Sequence, residues 1–223
     1  MDRKIILSML AIIGLVLAAA ILLPGGRSAD PAPKLPWQIT PSADGSVRVF
    51  GITLGQTTLA EAQQILGAGG ELTLFRSPNT SYAAEAYFQR AALSGLRADF
   101  ILSLVLDDET GAAMFERGLR VSKLPSGTHK VQLSDADRQR LGQTPISHLT
   151  YLPATNLEPE LIRRQFGTPS QVLTEAAGIE HWLYPERGLD IAVNPDGKEV
   201  MQYLQPAHFD QAIAPLRQDS APR

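Results

Sequence analysis

The sequence has no cysteine among its 223 residues. That excludes thiolate zinc centres, disulfides, a cysteine nucleophile and a lipidated cysteine near the N-terminus. Aromatic residues make up only 6% of the chain, and histidine occurs four times, at His129, His148, His181 and His208. None of the four stands in HExxH or at i, i+4 spacing, so no helix face brings two imidazoles to a metal. The chain also lacks a P-loop, G-x-G-x-x-G, G-x-S-x-G and S-x-x-K. Basic residues do not exceed acidic ones: Lys and Arg total 20, Asp and Glu 23, for a net charge of -3. A nucleic-acid binder would show a basic excess or patch, so no nucleic-acid partner is expected. The sequence carries no motif for a cofactor, a metal or a catalytic constellation, and the chain is read as non-enzymatic.

What is present begins with the opening segment "MDRKIILSMLAIIGLVLAAAILLPGG". Arg3 and Lys4 precede an apolar run over residues 5–23. At 1.5 Å per residue the run spans roughly 28 Å, close to the ~30 Å hydrocarbon core of a bilayer. The basic flank puts residues 1–4 in the cytoplasm and the body on the other side, as a single-pass inner-membrane protein with a periplasmic C-terminal domain. The alternative is a cleaved signal peptide with Ala18 and Ala20 at the cleavage site and secretion to the periplasm. Residues 24–45 hold Pro24, Pro31, Pro33, Pro36 and Pro41 among small polar residues and read as an extended tether. Trp37 interrupts that composition and is expected to dock on the body.

The body, residues 46–206, shows a faint internal repeat. "SVRVFGI" alternates as a strand should. Thr58 and Glu61 then stand in capping-box spacing ahead of an apolar stripe of Leu59, Ala62, Ile65 and Leu66, and Gly67 ends the helix. One hundred positions later Ile146, Leu149, Tyr151 and Leu152 form a second apolar run. Asn156 can cap a second helix, Leu157, Leu161, Ile162 and Phe166 make its stripe, and Gly167 ends it. Arg163 and Arg164 fall on its solvated face. Downstream, "GLRADFILSLVLDDETGAAM" and "GLDIAVNPDGKEVMQYL" share a Gly-Leu start, an apolar strand and an acidic turn. "THKVQLS" between the copies reads as a strand and "SDADRQRLG" as a short capped helix. Units of about 46–142 and 143–206 follow, and 207–223 reads as a tail. The fold class expected is α+β: an N-terminal transmembrane helix, a Pro-rich tether, then two related units of short helix plus antiparallel sheet.

"GITLGQTTLAEAQQILG" and "LEPELIRRQFGTPSQV", each followed by a hairpin, resemble the SmpA/OmlA (BamE-like) outer-membrane assembly lipoproteins. That pattern is a Gly-Met/Ile-Thr entry, a short helix and a Leu/Phe-Gly-x-Pro exit. Two such units in tandem are similar to the architecture of the β-lactamase inhibitor protein. The chain departs from both groups: it has no lipobox cysteine or disulfide, and Gly67-Ala68-Gly69 replaces Gly-x-Pro in the first copy. The resemblance implies a non-enzymatic α+β envelope module working through its sheet surface, with an envelope protein as partner. An enzyme inhibitor acting through its sheet face is the alternative, and an uncharacterised hydrolase a more remote one.

Two acidic turns invite a metal reading. "NPDG" supplies Asn194, Asp196 and then Glu199, too few oxygen ligands and too close together for an EF-hand, whereas Pro-Asp-Gly suits a hairpin turn. "LDDETG" (107–111 holds its acidic part) reads as a solvated turn. In the strands of His181–Leu204, alternation is expected to send Leu189, Ile191, Val193, Val200 and Leu204 against the Leu161/Phe166 stripe. Trp182, Tyr184, Met201 and Tyr203 would then gather on the opposite face as a binding surface for a protein.

Overall fold

A computed structural model describes residues 33–219, apart from Ala43 and Asp196. The apolar run 5–23, the cleavage-site residues Ala18 and Ala20 and the first part of the tether lie outside the described residues, as does Asp196 of the NPDG turn. Among the described residues no helix is long and apolar enough to cross a membrane.

The described chain is α+β. Strands β1 (Thr40–Pro41), β2 (Val47–Val49) and β3 (Ile52–Thr53) form a small sheet. Helix α1 (Leu59–Leu66) leads into β4 (Glu71–Arg76), β5 (Tyr82–Leu93) and β6 (Leu96–Leu104). Helix α2 (Asp108–Glu116), β7 (Arg120–Lys123), β8 (His129–Gln132) and α3 (Asp135–Gly142) connect to β9 (Ile146–Pro153). Then come α4 (Pro159–Phe166), β10 (Gln171–Thr174), β11 (Glu180–Tyr184), β12 (Leu189–Val193), β13 (Val200–Tyr203) and α5 (Pro206–Asp219). Ten of the strands make one antiparallel sheet in the order β10-β11-β12-β13-β9-β6-β5-β4-β8-β7. A helix followed by three neighbouring antiparallel strands thus occurs twice, as α1–β4–β5–β6 and α4–β10–β11–β12, with β13 and β9 between the two sets.

Local chemistry accounts for the helix ends. The Thr58 hydroxyl accepts from the Glu61 amide while the Glu61 carboxylate accepts from the Thr58 amide, a reciprocal capping box, and Gly67 closes α1 at φ 63°. In α4 the cap is Glu158 without a side-chain bond, and Pro159 opens the helix. Asn156 is therefore not the cap. Proline's fixed φ suits the first helical turn and needs no amide partner there, and the upstream Leu157 amide is held by the Glu199 carboxylate at 2.8 Å.

Four further expectations are corrected. The strand expected over "SVRVFGI" is a hairpin folded at Phe50–Gly51, pairing Val49 with Ile52. Phe50 sits at φ 54°, a conformation that costs a non-glycine residue on the order of 1–3 kcal/mol. The turn drives its ring among Phe100, Tyr151 and Tyr203, with centroids 5.0–5.7 Å away. Burying a Phe side chain contributes about 1.5–3 kcal/mol, with more from each well-oriented ring pair, so burial offsets the strain. "LDDETG" is the start of α2 rather than a turn: Asp107 caps it by accepting from the Thr110 amide. The segment read as a tail is α5, whose Phe209 and Ile213 are buried. The docked body also begins before Ser46, since Trp37 and Ile39 pack on the core and Tyr203 donates its hydroxyl proton to Pro36 O at 2.9 Å.

Register decides which residues share a face. Leu74, Ala86, Phe88, Phe100, Leu102, Leu149, Tyr151, Tyr203, Met201, Leu189, Ile191, Tyr184 and Trp182 follow one another across the sheet on what we call the inner face. Buried residues of α1, α2, α4 and the small sheet join them in one core cluster. Of the described helices, the opposite, outer face carries only α5.

Candidate functional site

The aromatic set of the last strands belongs to the inner face. Leu189 stands opposite Tyr203, Ile191 opposite Met201 and opposite Trp182, and Tyr184 opposite Leu189. Residues directly opposite one another point the same way, so Trp182, Tyr184, Met201 and Tyr203 lie with Leu189 and Ile191, not against them. Trp182 is 2% exposed and Tyr203 0%. These four residues are core and cannot meet a partner. Spacing within single strands separates two faces but does not say how the faces of neighbouring strands match; that depends on a register the sequence did not supply. Arg163 of α4 stacks over the Trp182 ring at 4.5 Å, while Arg164 stays on the solvated side.

The outer face divides into two halves. Over β11 and β12, α5 lays Phe209 and Ile213 on Leu183 and Leu204. His181 and Asp190 lie in this half, both buried. The His181 ring donates from Nδ1 to Asp190 at 2.9 Å and from Nε2 to Glu175 at 2.9 Å. Donation from both nitrogens requires the imidazolium. The bond to Asp190, supported by Glu175, holds the His181 pKa above its ordinary 6.5 against the opposing effect of burial. This cluster has the geometry of a structural ion bridge.

The other half of the outer face, over β4, β5 and β6, has no helix of the described residues on it. Phe75, Glu85, Tyr87 and Ile101 line a shallow trough of about 300 Å³ bordered by Glu71 and Lys130. Tyr87 is 37% exposed, and its hydroxyl donates to Asp99 at 2.8 Å. Asp99 in turn accepts from the Arg90 amide at 2.7 Å, beside the β-bulge between Phe88 and Ala91. The bulge and the carboxylate together fix the ring outward. Glu85 is half-buried beside Thr73 and Ser103, and burial alone raises its carboxyl pKa. These residues escape notice in the sequence, where their signal is an alternation: in "AAEAYF" Ala84, Ala86 and Phe88 take one face, Glu85 and Tyr87 the other.

A row of Glu85, Ser103 and His148 crosses this half on adjacent strands. Its order does not make a charge relay. Glu85 is two strands from His148, roughly 10 Å. His148 Nδ1 meets the neighbouring Ser147 hydroxyl at 3.1 Å, and that hydroxyl also donates to Ser103 O at 2.9 Å. Burial lowers the His148 pKa. Asp107, the first carboxylate of "LDDETG", is engaged as a helix cap with Thr110.

Comparison of the chain with protein-family models, with curated proteins and with solved structures finds no match.

Proposed function

We propose that this chain is a non-catalytic, membrane-tethered protein-binding module of the bacterial envelope, docking its partner on the uncovered half of the outer sheet face. One observation carries the reading: α5 covers the β11–β12 half, while the β4–β6 half presents Phe75, Tyr87 and Ile101 with Tyr87 held outward by Asp99. A pre-oriented tyrosine amid apolar and charged neighbours suits protein docking, because large area is buried with few rotamers to freeze. The tether rests on the sequence: residues 5–23 anchor in the inner membrane and the body stands in the periplasm. The SmpA/OmlA-like pattern supports the same class, and the two helix-plus-three-strand sets are taken as copies of one unit.

The experiment is co-purification from cross-linked membranes with Tyr87→Ala/Ile101→Ala. The double variant should lose the partner recovered with wild type while unfolding within a few degrees of it. Full retention of that partner by a folded variant would remove the docking face.

A further inference from the structure

Strand β8 accompanies β4 along only half of its length. Leu74, Phe75 and Arg76 pair with Val131, Lys130 and His129. Glu71, Leu72 and Thr73 pair with β5 on one side and, among the described residues, with no strand on the other. Past the Leu74–Val131 pair β8 keeps only its β7 partner and, after Gln132, the chain leaves for α3, so β4 and β8 part as a V closed at that pair. A cavity of about 490 Å³ occupies the opening, with Leu59 and Gln63 of α1 and Gly142 of α3 in its wall. Arg120, Lys130 and Arg138 line it against a single carboxylate, Glu71. Lys130 meets Glu71 at 2.9 Å, and Arg138 Nε donates to Leu133 O at 3.3 Å. The side chain of Arg120, opposite Gln132 and one position beyond the closed end, has no hydrogen bond or ion pair with any described residue.

An unpaired strand edge is a template for another strand. These three positions extend roughly 10 Å, with alternate residues turning their N–H and C=O to the open edge, which suits a short peptide. The closed end stops such a strand from running through, so the segment has to terminate inside the notch. Three cations against one carboxylate select a chain's C-terminal carboxylate over its N-terminal ammonium. We propose that the notch binds the extended C-terminal three or four residues of a partner protein as a strand added to β4, with the terminal carboxylate on Arg120 and Arg138. This rests on the reading of the chain as a protein-binding module and supplies a second contact, adjoining the outer face at Glu71 and Lys130.

The test probes the full chain in detergent with an array of hexapeptides randomised over their last four positions, each synthesised as free acid and as C-terminal amide. A discrete set of free acids should bind, weakening at least tenfold on amidation and at least tenfold with Arg120→Glu/Arg138→Glu. Both arginines are exposed, so the double variant should keep the wild-type melting temperature. Bound peptide should also slow amide exchange within Gly70–Thr73. Equal binding of acids and amides, no binding by either, or indifference to the double substitution overturns the proposal. So does displacement by millimolar inorganic phosphate without slowed exchange in β4, which marks a simple anion site. Loss of the peptide result while Tyr87 and Ile101 still contact a partner removes the notch alone and leaves the docking face standing.

Discussion

At the residue scale, two positions show how burial redirects a side chain's meaning. Trp182 and Tyr203 are among the largest fully buried residues of the described chain, so their replacement by alanine opens cavities. Trp182→Ala should cost about 3–5 kcal/mol in chemical denaturation; a loss below 1 kcal/mol would mean the ring is not core. His181 bridges Asp190 and Glu175, and its folded-state pKa lies above the ordinary 6.5. The folded state therefore holds the proton more tightly than the unfolded chain does. Its contribution is complete below pH 6.5 and is lost as pH rises through the raised value. Urea midpoints measured from pH 6 to 9 should decline across that window in wild type. His181→Asn should start lower and decline less; parallel curves would contradict the bridge.

At the element scale, the helices and hairpins were legible where the chemistry is local. The Thr58–Glu61 box, Gly67, the Ser134 cap of α3 and the turns around Pro185 and Pro195 are short-range signals, and the elements they bound are in place. What was not legible depends on distant partners. The cross-strand register that buries Met201 and Tyr203 is set by β9 and β12. The hairpin at Phe50 needs aromatic neighbours some fifty to one hundred and fifty positions away to offset its backbone strain. α5 escaped because its apolar contacts are sparse, chiefly Phe209 and Ile213 with part-buried Leu216, among polar residues that read as a tail. The helix nonetheless seals one half of the outer face. Phe209→Ala should destabilise the body by about 3–5 kcal/mol and speed amide exchange in β11 and β12 more than in β4 and β5. Uniform exchange across the sheet would show that α5 has no local covering role.

At the scale of the whole described body, the sheet has a packed inner face, an outer face sealed at one end by α5, and a remainder that no described element covers. That asymmetry, rather than any reactive cluster, sets the protein-binding reading apart. The proposed anchor belongs to the same scale. With residues 5–23 in place the chain should remain in the membrane fraction after alkaline carbonate extraction, and a version beginning at Pro24 should be released as a folded monomer or complex. Extraction of the full chain would contradict the anchor. The most direct test of the docking face is site-specific photocrosslinking in living cells, with the photoreactive residue at position 87 or 101 and, as control, at position 211 on the exposed side of α5. Positions 87 and 101 should each give the same adduct with an envelope protein, and position 211 should give none. Adducts at 211 with none at 87 or 101 would contradict the uncovered half of the sheet as the site of docking.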